Sequence, residues 1–486
     1  MNQSFKKLLT VPIAVLILLI SASSVKAQTT FNVNSTIDAI DANPGNSICE
    51  IASGNGICTL RAAIQEANTQ SGSSLILIPL GNYTLSIPGD NENLAASGDL
   101  DISKPITITG EGSGVTVIDA NRIDRIFDIQ SSSSNVAING VTIQRGNVGS
   151  GQRGGGVLAN ANLVISNSII QQNSVSGAEA YYSMPFGGGI SSSKALTIIN
   201  STVGYNSASG QGSSGGGIYM DLNSSLIIQN STIVGNSTTV DSHTGSDGGG
   251  IYSKASVIIE QSTITGNVSS HGSTAGSMGG GMYISGGPLT ITESTIKNNS
   301  SRNGAGLVIS GNVTIVKSTF YNNHAEVGGG GIQAGGGNLT IDNSTFSNNA
   351  AGLPNFGGGI GFYGDGQLLI TNSTFAENRS NSLFLDRPNH VTIRNTILST
   401  TSYPNCYLAG STQVVSQGYN LISDNTCNLS GVGDRQGTTP LIGFFQDNGG
   451  PTFTHELLTG SPAIDSGDPI NCPLNRSARS HTPTRG

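Results

Sequence analysis

Residues 248–267 read GGGIYSKASVIIEQSTITGN, and this stretch decides the fold. A glycine triplet leads to Ile251-Tyr252, then Val257-Ile258-Ile259, then Thr263-Ile264, with small or polar residues between the pieces and Asn267 after them. Each piece offers one to three β-branched or large apolar side chains, too few to close a core alone. The pattern recurs. Gly-rich triplets lead to Val157, Ile190, Ile218, Ile251, Met282, Leu307, Ile332 and Ile360, at steps of 25 to 33 residues. A later asparagine keeps its place in each copy: Asn173, Asn206, Asn236, Asn267, Asn299, Asn323, Asn349 and Asn378. Stacking the copies in parallel, about 4.8 Å apart, joins the short apolar pieces into continuous columns. Asparagines at equivalent turns can then bond along a ladder. Glycine triplets suit corners that need positive φ or close backbone approach. The expectation is an all-β parallel stack, three strands per coil and about 50 Å long. The polar stretches 176–186, 207–214, 237–247 and 268–278 become loops along one edge of the rod.

Composition agrees. The chain has 486 residues, 68 of them glycine, and only 10% are charged, against roughly 25% in an ordinary soluble domain. So much glycine argues against helical bundles, at about 1 kcal/mol per helix-interior position. Low charge argues against disorder. A formal charge of −8 argues against nucleic acid as a partner.

The N-terminus reads as an export signal: Lys6 and Lys7, an apolar run from Val11 to Ile20 broken only by Pro12, and a small-residue cut site before Gln28. The run is shorter than the roughly 20 residues that span a bilayer. Cleavage removes Lys6, Lys7 and Lys26 and moves the formal charge from −8 to −11. Export places the cysteines in an oxidising setting. The two local pairs, Cys49 with Cys58 and Cys406 with Cys427, are expected as disulfides, with Cys472 left over.

Beyond the repeats, Phe31-Asn32-Val33, Asp41-Ala42-Asn43-Pro44-Gly45 and the run Cys58-Thr59-Leu60-Arg61-Ala62-Ala63-Ile64-Gln65-Glu66-Ala67-Asn68 resemble the CSLREA domain of exported bacterial proteins, with Ala62 where that family has glutamate. Gln446-Asp447-Asn448-Gly449-Gly450-Pro451-Thr452 and Gly460-Ser461-Pro462-Ala463-Ile464-Asp465-Ser466-Gly467-Asp468 resemble the choice-of-anchor Q region. The repeats between them resemble polymorphic outer membrane proteins and other right-handed β-helix proteins. The resemblance implies a right-handed, pectin-lyase-like solenoid at the bacterial outer surface. The organisation expected is a leader at 1–27, a capping region at 28–98, repeats at 99–400 and a C-terminal capping region at 401–486. Leu60, Ile64 and Ala67 share a helical face that can lie across the first coil, with Thr59 as helix start. Past Cys472 the resembling family continues as TDQRG-x-x-RP, often with a sorting anchor. Residues 475–483 depart from this, and a one-base shift restores it, so a frameshift or incomplete reading frame is expected there.

Chemistry is harder to find. The charged patch is Asp119, Arg122, Asp124, Arg125 and Asp128, and the acids Asp99 and Asp101 lie two apart on one strand face. Polysaccharide cleavage needs such paired carboxylates, but the plainer reading is a solvated first coil with local ion pairs. The histidines are scattered without ligand spacing, and no phosphate loop, nucleophile elbow or calcium repeat occurs, so no metal or cofactor is expected. Glu260, Glu293, Lys317 and Asp342 occupy turn positions one coil apart where asparagine is usual, and an acid facing a lysine there is expected as a surface pair. Tyr219, Tyr252 and Tyr283 follow the Gly-triplet apolar residue and should form an outward stripe. With Tyr182 and Tyr363 that stripe could stack sugars, or it could strengthen the sheet by ring-on-ring contact. Two functions follow: a non-catalytic surface or extracellular stalk, adhesin or matrix component whose partners are glycans or cell surfaces, or a polysaccharide-binding or polysaccharide-degrading protein.

Overall fold

A computed structural model describes residues 28–469, apart from 91, 178–184, 241–244, 271–275 and 353–355. The leader 1–27, Tyr182, Cys472 and residues 475–483 lie outside the described residues.

The repeat at residues 248–267 makes one coil. Ile251–Ser253, Ser256–Glu260 and Thr263–Thr265 are its strands. Each pairs in parallel with its counterpart one coil away, and Ile218, Ile251 and Met282 sit one atop another. Three sheets, here I, II and III, thus run the length of the rod with 12, 14 and 13 strands. At one strand spacing per rung the rod is about 60 Å long. Inward residues of these three sheets fill one core, including the Phe320–Phe346–Phe375 stack at 4.8 and 4.7 Å between rings.

A fourth strand adds to these three in the middle coils. Ser174–Ser176, Ser207–Ser209, Ser237–Thr239 and Val268–Ser270 pair in parallel as sheet IV. The stretches expected to be loops therefore begin as strands. They carry no apolar run because the residues they bury are small, such as Ala208, Thr238 and Ser269, and so periodicity did not betray them.

The corners explain the polar repeat. Between sheets II and III one residue per coil is left-handed, with φ near 50° at Asn200, Asn230, Asn343 and Asn372, but also at Gln261, Glu293 and Lys317. Asparagine tolerates that conformation best among residues with a side chain. The next residue builds a serine ladder: the Ser201 amide donates to Ser231 Oγ at 3.0 Å, and the Ser231 amide to Ser262 Oγ at 3.1 Å. After sheet III comes the buried asparagine ladder. Asn236 donates from its amide and its Nδ2 to Asn267 Oδ1, both at 3.0 Å, and Asn267 does the same to Asn299. The same pattern links Asn206 to Asn236, Asn299 to Asn323, Asn323 to Asn349 and Asn349 to Asn378. Gly250 backs onto this ladder. A Cβ there would come 3.0 Å from the Asn267 amide group and 2.5 Å from the Gly281 oxygen.

The rod's ends differ. At the N-terminal end the helix Leu60–Thr69 starts on Thr59, whose hydroxyl accepts from the Ala62 amide at 3.1 Å. The helix lies against the first strands of sheets I and II, burying Leu60, Ile64 and Ala67. Arg61, fully buried, pairs with Asp38 at 2.6 Å. Cys49 and Cys58 are bonded here, and Cys406 and Cys427 in the last coil. At that end Cys427 and Leu429 join the core, and Ile422 donates to the Arg435 oxygen. The chain then turns back along the rod. The antiparallel hairpin of Ile442–Gln446 and Thr454–Leu457 lies on the outer face of sheet III. There Phe445 stacks on Tyr321 at 4.2 Å, Thr319 Oγ1 donates to the Phe453 oxygen at 2.9 Å, and His455 Nε2 meets Ser347 Oγ at 3.0 Å. The C-terminal region is thus an end cap followed by a lateral strap.

Candidate functional site on the outer face of sheet I

Strand pairing puts Asp101 and the three tyrosines in one outward row. Along sheet I, Asp101 faces Asp128, then Leu158, Ser191, Tyr219, Tyr252, Tyr283 and Val308 follow, one per rung. The row continues through Gln333 and Gly361 to Phe384 and Tyr407. The acids and the aromatic stripe, far apart in sequence, share one face.

At the acidic end the side chains are not solvated, contrary to expectation. Asp99 is 5% exposed and Asp101 0%. Burial pushes the Asp99 carboxyl up to about 8, although the Arg125 guanidinium lies 2.8 Å away, and the neighbouring Asp124, Asp101 and Asp128 push the same way. Arg125 also reaches Asp128 at 3.2 Å and Gln152 at 2.5 Å. Asp101 rises to about 6 by burial, held down by the Ala95 amide at 2.8 Å and Gln130 Nε2 at 3.2 Å. Asp119 behaves oppositely. Against the cost of its burial, Arg145 and Gln144 hydrogen bonds hold its carboxyl below the usual range. Buried carboxylates held on arginine and backbone donors knit the first coils together. The surface pair further along does form, with Lys317 3.2 Å from Glu293.

The tyrosines point away from the core but are not an open stripe. Tyr219 is 1% exposed. Phe186 stacks on one face of its ring at 4.3 Å and Tyr252 on the other at 5.4 Å, with planes within 4° and 1° of parallel. The Arg153 guanidinium lies over Phe186, and Lys254 over Tyr219 and Tyr252. Tyr283 meets Tyr252 edge-on, at 86°. Both faces of Tyr219 are therefore occupied, and a sugar there could meet only its edge and hydroxyl. Burial raises all three phenols, Tyr219 to about 12, so they stay protonated. Tyr363 lies outside the row and folds over Gly361, where a Cβ would come 2.5 Å from its ring.

Sequence reasoning missed Phe186, Arg153 and Lys254, which cover Tyr219. Phe186 and Arg153 precede the triplets, where only insertions were expected. Their one clue is that each stands just before a glycine triplet. Also missed was Asp247 in the same position, whose carboxyl burial pushes up to about 7. Among the described residues no group of three His, Cys, Asp or Glu side chains could hold a metal ion, and no helix is long and apolar enough to cross a membrane.

Among known protein families, one described as a right handed beta helix region matches residues 187–354 and 280–440, together just over half of the chain. No curated protein and no solved structure gives a significant match.

Proposed function

The chain belongs to the right-handed β-helix family, and from that premise we propose that it is an exported, non-catalytic rod acting outside the cell as a stalk, adhesin or matrix component. The observation that carries this reading is the state of the outward row on sheet I. Its carboxylates are withdrawn from solvent onto arginine and backbone donors, and both ring faces of Tyr219 are committed to its neighbours. A general acid–base pair must reach a substrate; these groups instead rigidify the rod. The disulfides at both ends support an oxidising compartment. The CSLREA-like and choice-of-anchor-Q-like ends support the bacterial outer surface. On such a rod, repeated weak contacts along a rigid face give avidity.

The second reading is a polysaccharide-binding or polysaccharide-degrading protein, favoured by Asp101 standing on the same outward face of sheet I as the aromatic row, four rungs from Tyr219. The test is to incubate the purified chain with polygalacturonate, alginate and neutral glucans, following reducing ends and unsaturated-uronate absorbance. We expect no turnover. Turnover that disappears in Asp99→Asn or Asp101→Asn would establish the enzyme instead.

A further inference from the structure

The outward row of sheet I has one small step. Between Leu158 and Tyr219 stands Ser191, and above it lies a recess of about 170 Å³. Its walls come from three successive coils. Arg153 enters from the coil before and Asp221 from the coil after, and their charged groups approach to 3.6 Å across the middle coil. No hydrogen bond joins them, and the Arg153 and Asp221 side chains are 45% and 36% exposed. The guanidinium is already positioned by its stacking on Phe186, 4.7 Å from the ring centre. Asn160 accepts from Ser193 Oγ at 3.1 Å through its oxygen, which leaves its amide hydrogens for a ligand. The Tyr219 ring forms the far wall.

We propose that this recess is a subsite for one pyranose ring of a saccharide. The chemistry is that of hydroxyl recognition. Arg153 and Asn160 supply donors, Asp221 accepts from vicinal hydroxyls, and Leu158 with the buried Ser191 closes the floor beneath ring C–H groups. A charged pair held apart without a hydrogen bond can exchange partners with a ligand at little cost in lost contacts. The adjoining stacked rings cannot provide this, because their faces are taken. Neutral and uronate sugars share the hydroxyl pattern, and a uronate adds a carboxylate for Arg153. The proposal rests on the chain being a non-catalytic binder.

The experiment prints neutral oligosaccharides (gluco-, manno- and chito-) and uronate oligosaccharides (galacturonan, alginate) on an array. The purified chain and its variants Ser191→Phe, Arg153→Ala and Tyr407→Ser are applied, and hits are titrated by calorimetry. Ser191→Phe fills the recess and extends the aromatic row; Tyr407 stands at the far end of that row. We expect at least one class to bind, with affinity at least tenfold weaker in Ser191→Phe and Arg153→Ala and unchanged in Tyr407→Ser. A larger Arg153→Ala loss on uronates than on neutral sugars identifies the acidic class, and equal losses the neutral one. No binding to either class, or binding unchanged in both recess variants, overturns the proposal. If Ser191→Phe fails to fold, Arg153→Ala decides alone. Product release during the titration would defeat the non-catalytic reading while leaving the subsite to be judged by the same variants.

Discussion

At the scale of single residues, the interior ladder concentrates the polar risk of the fold. Asn267 satisfies the Asn236 amide and Nδ2 and donates to the Ile233 oxygen and Asn299 Oδ1. Its removal orphans several buried groups at once, each costing about 1–3 kcal/mol. Asn267→Ala is expected to destabilise the rod by about 3 kcal/mol, read as a lower guanidinium midpoint. The acids make a second prediction. Asp99 takes up its proton more readily folded, at about 8, than in an unfolded chain at about 3.9. The folded state therefore holds more protons between those values, and this contribution to stability, full below pH 4, is lost as pH rises to 8. Asp99→Asn should lose little at pH 5 and gain relative to the parent at pH 9. Melting curves at both pH values check this, and an unchanged gap between them counts against the burial argument.

At the scale of elements, the C-terminal hairpin depends on a neutral histidine. Burial lowers the His455 pKa, although the Gly443 oxygen and Glu377 oppose that shift. His455 Nδ1 sits 2.8 Å from the Gly443 oxygen and Nε2 3.0 Å from Ser347 Oγ. The unfolded or undocked form then binds the extra proton first, so docking is fully stabilised above about pH 6.5 and weakens as pH falls below it. Amide exchange of residues 442–446 and 454–457 should speed up several-fold between pH 7.5 and 5, after correction for the intrinsic rate. In His455→Gln that pH dependence should flatten, while exchange in sheets I and II stays the same. Sheet IV illustrates the opposite kind of element. Its strands lean on their neighbours, since a piece such as Ser-Ala-Ser at 207–209 has little strand preference of its own.

At the scale of the whole molecule, the rod is nearly one-dimensional: each coil contacts its two neighbours, and stability is a sum of similar interfaces. Deleting residues 251–281 joins Gly250 to Met282 and removes one coil in register. The shortened chain is expected to fold, with its longest dimension in small-angle scattering reduced by about 5 Å and its guanidinium midpoint only modestly lower. Aggregation or loss of cooperative unfolding would show that the coil interfaces are not interchangeable. The closed ends make this a discrete object: the helix Leu60–Thr69 and the 424–435 segment cover rungs that would otherwise offer unpaired strands.

How far the chain could be read without coordinates follows from which forces are local. The glycine triplets, the apolar pieces and the recurring asparagine set the repeat length, the parallel stacking and the identity of the core, because each depends on a residue's own shape or φ preference. The helix face around Ile64 and the two local cysteine pairs were legible for the same reason. Tertiary structure alone decided the rest. Asp99 and Asp101 look solvated in sequence, but the helix cap and the next coil bury them. Tyr219 looks like an open platform, but Phe186, Arg153 and Lys254 close over it from other coils. The strap on sheet III and the recess over Ser191 arise between residues that are remote or two coils apart. Burial and through-space contact depend on which coil lies beside which, and a repeat's own letters carry no record of that.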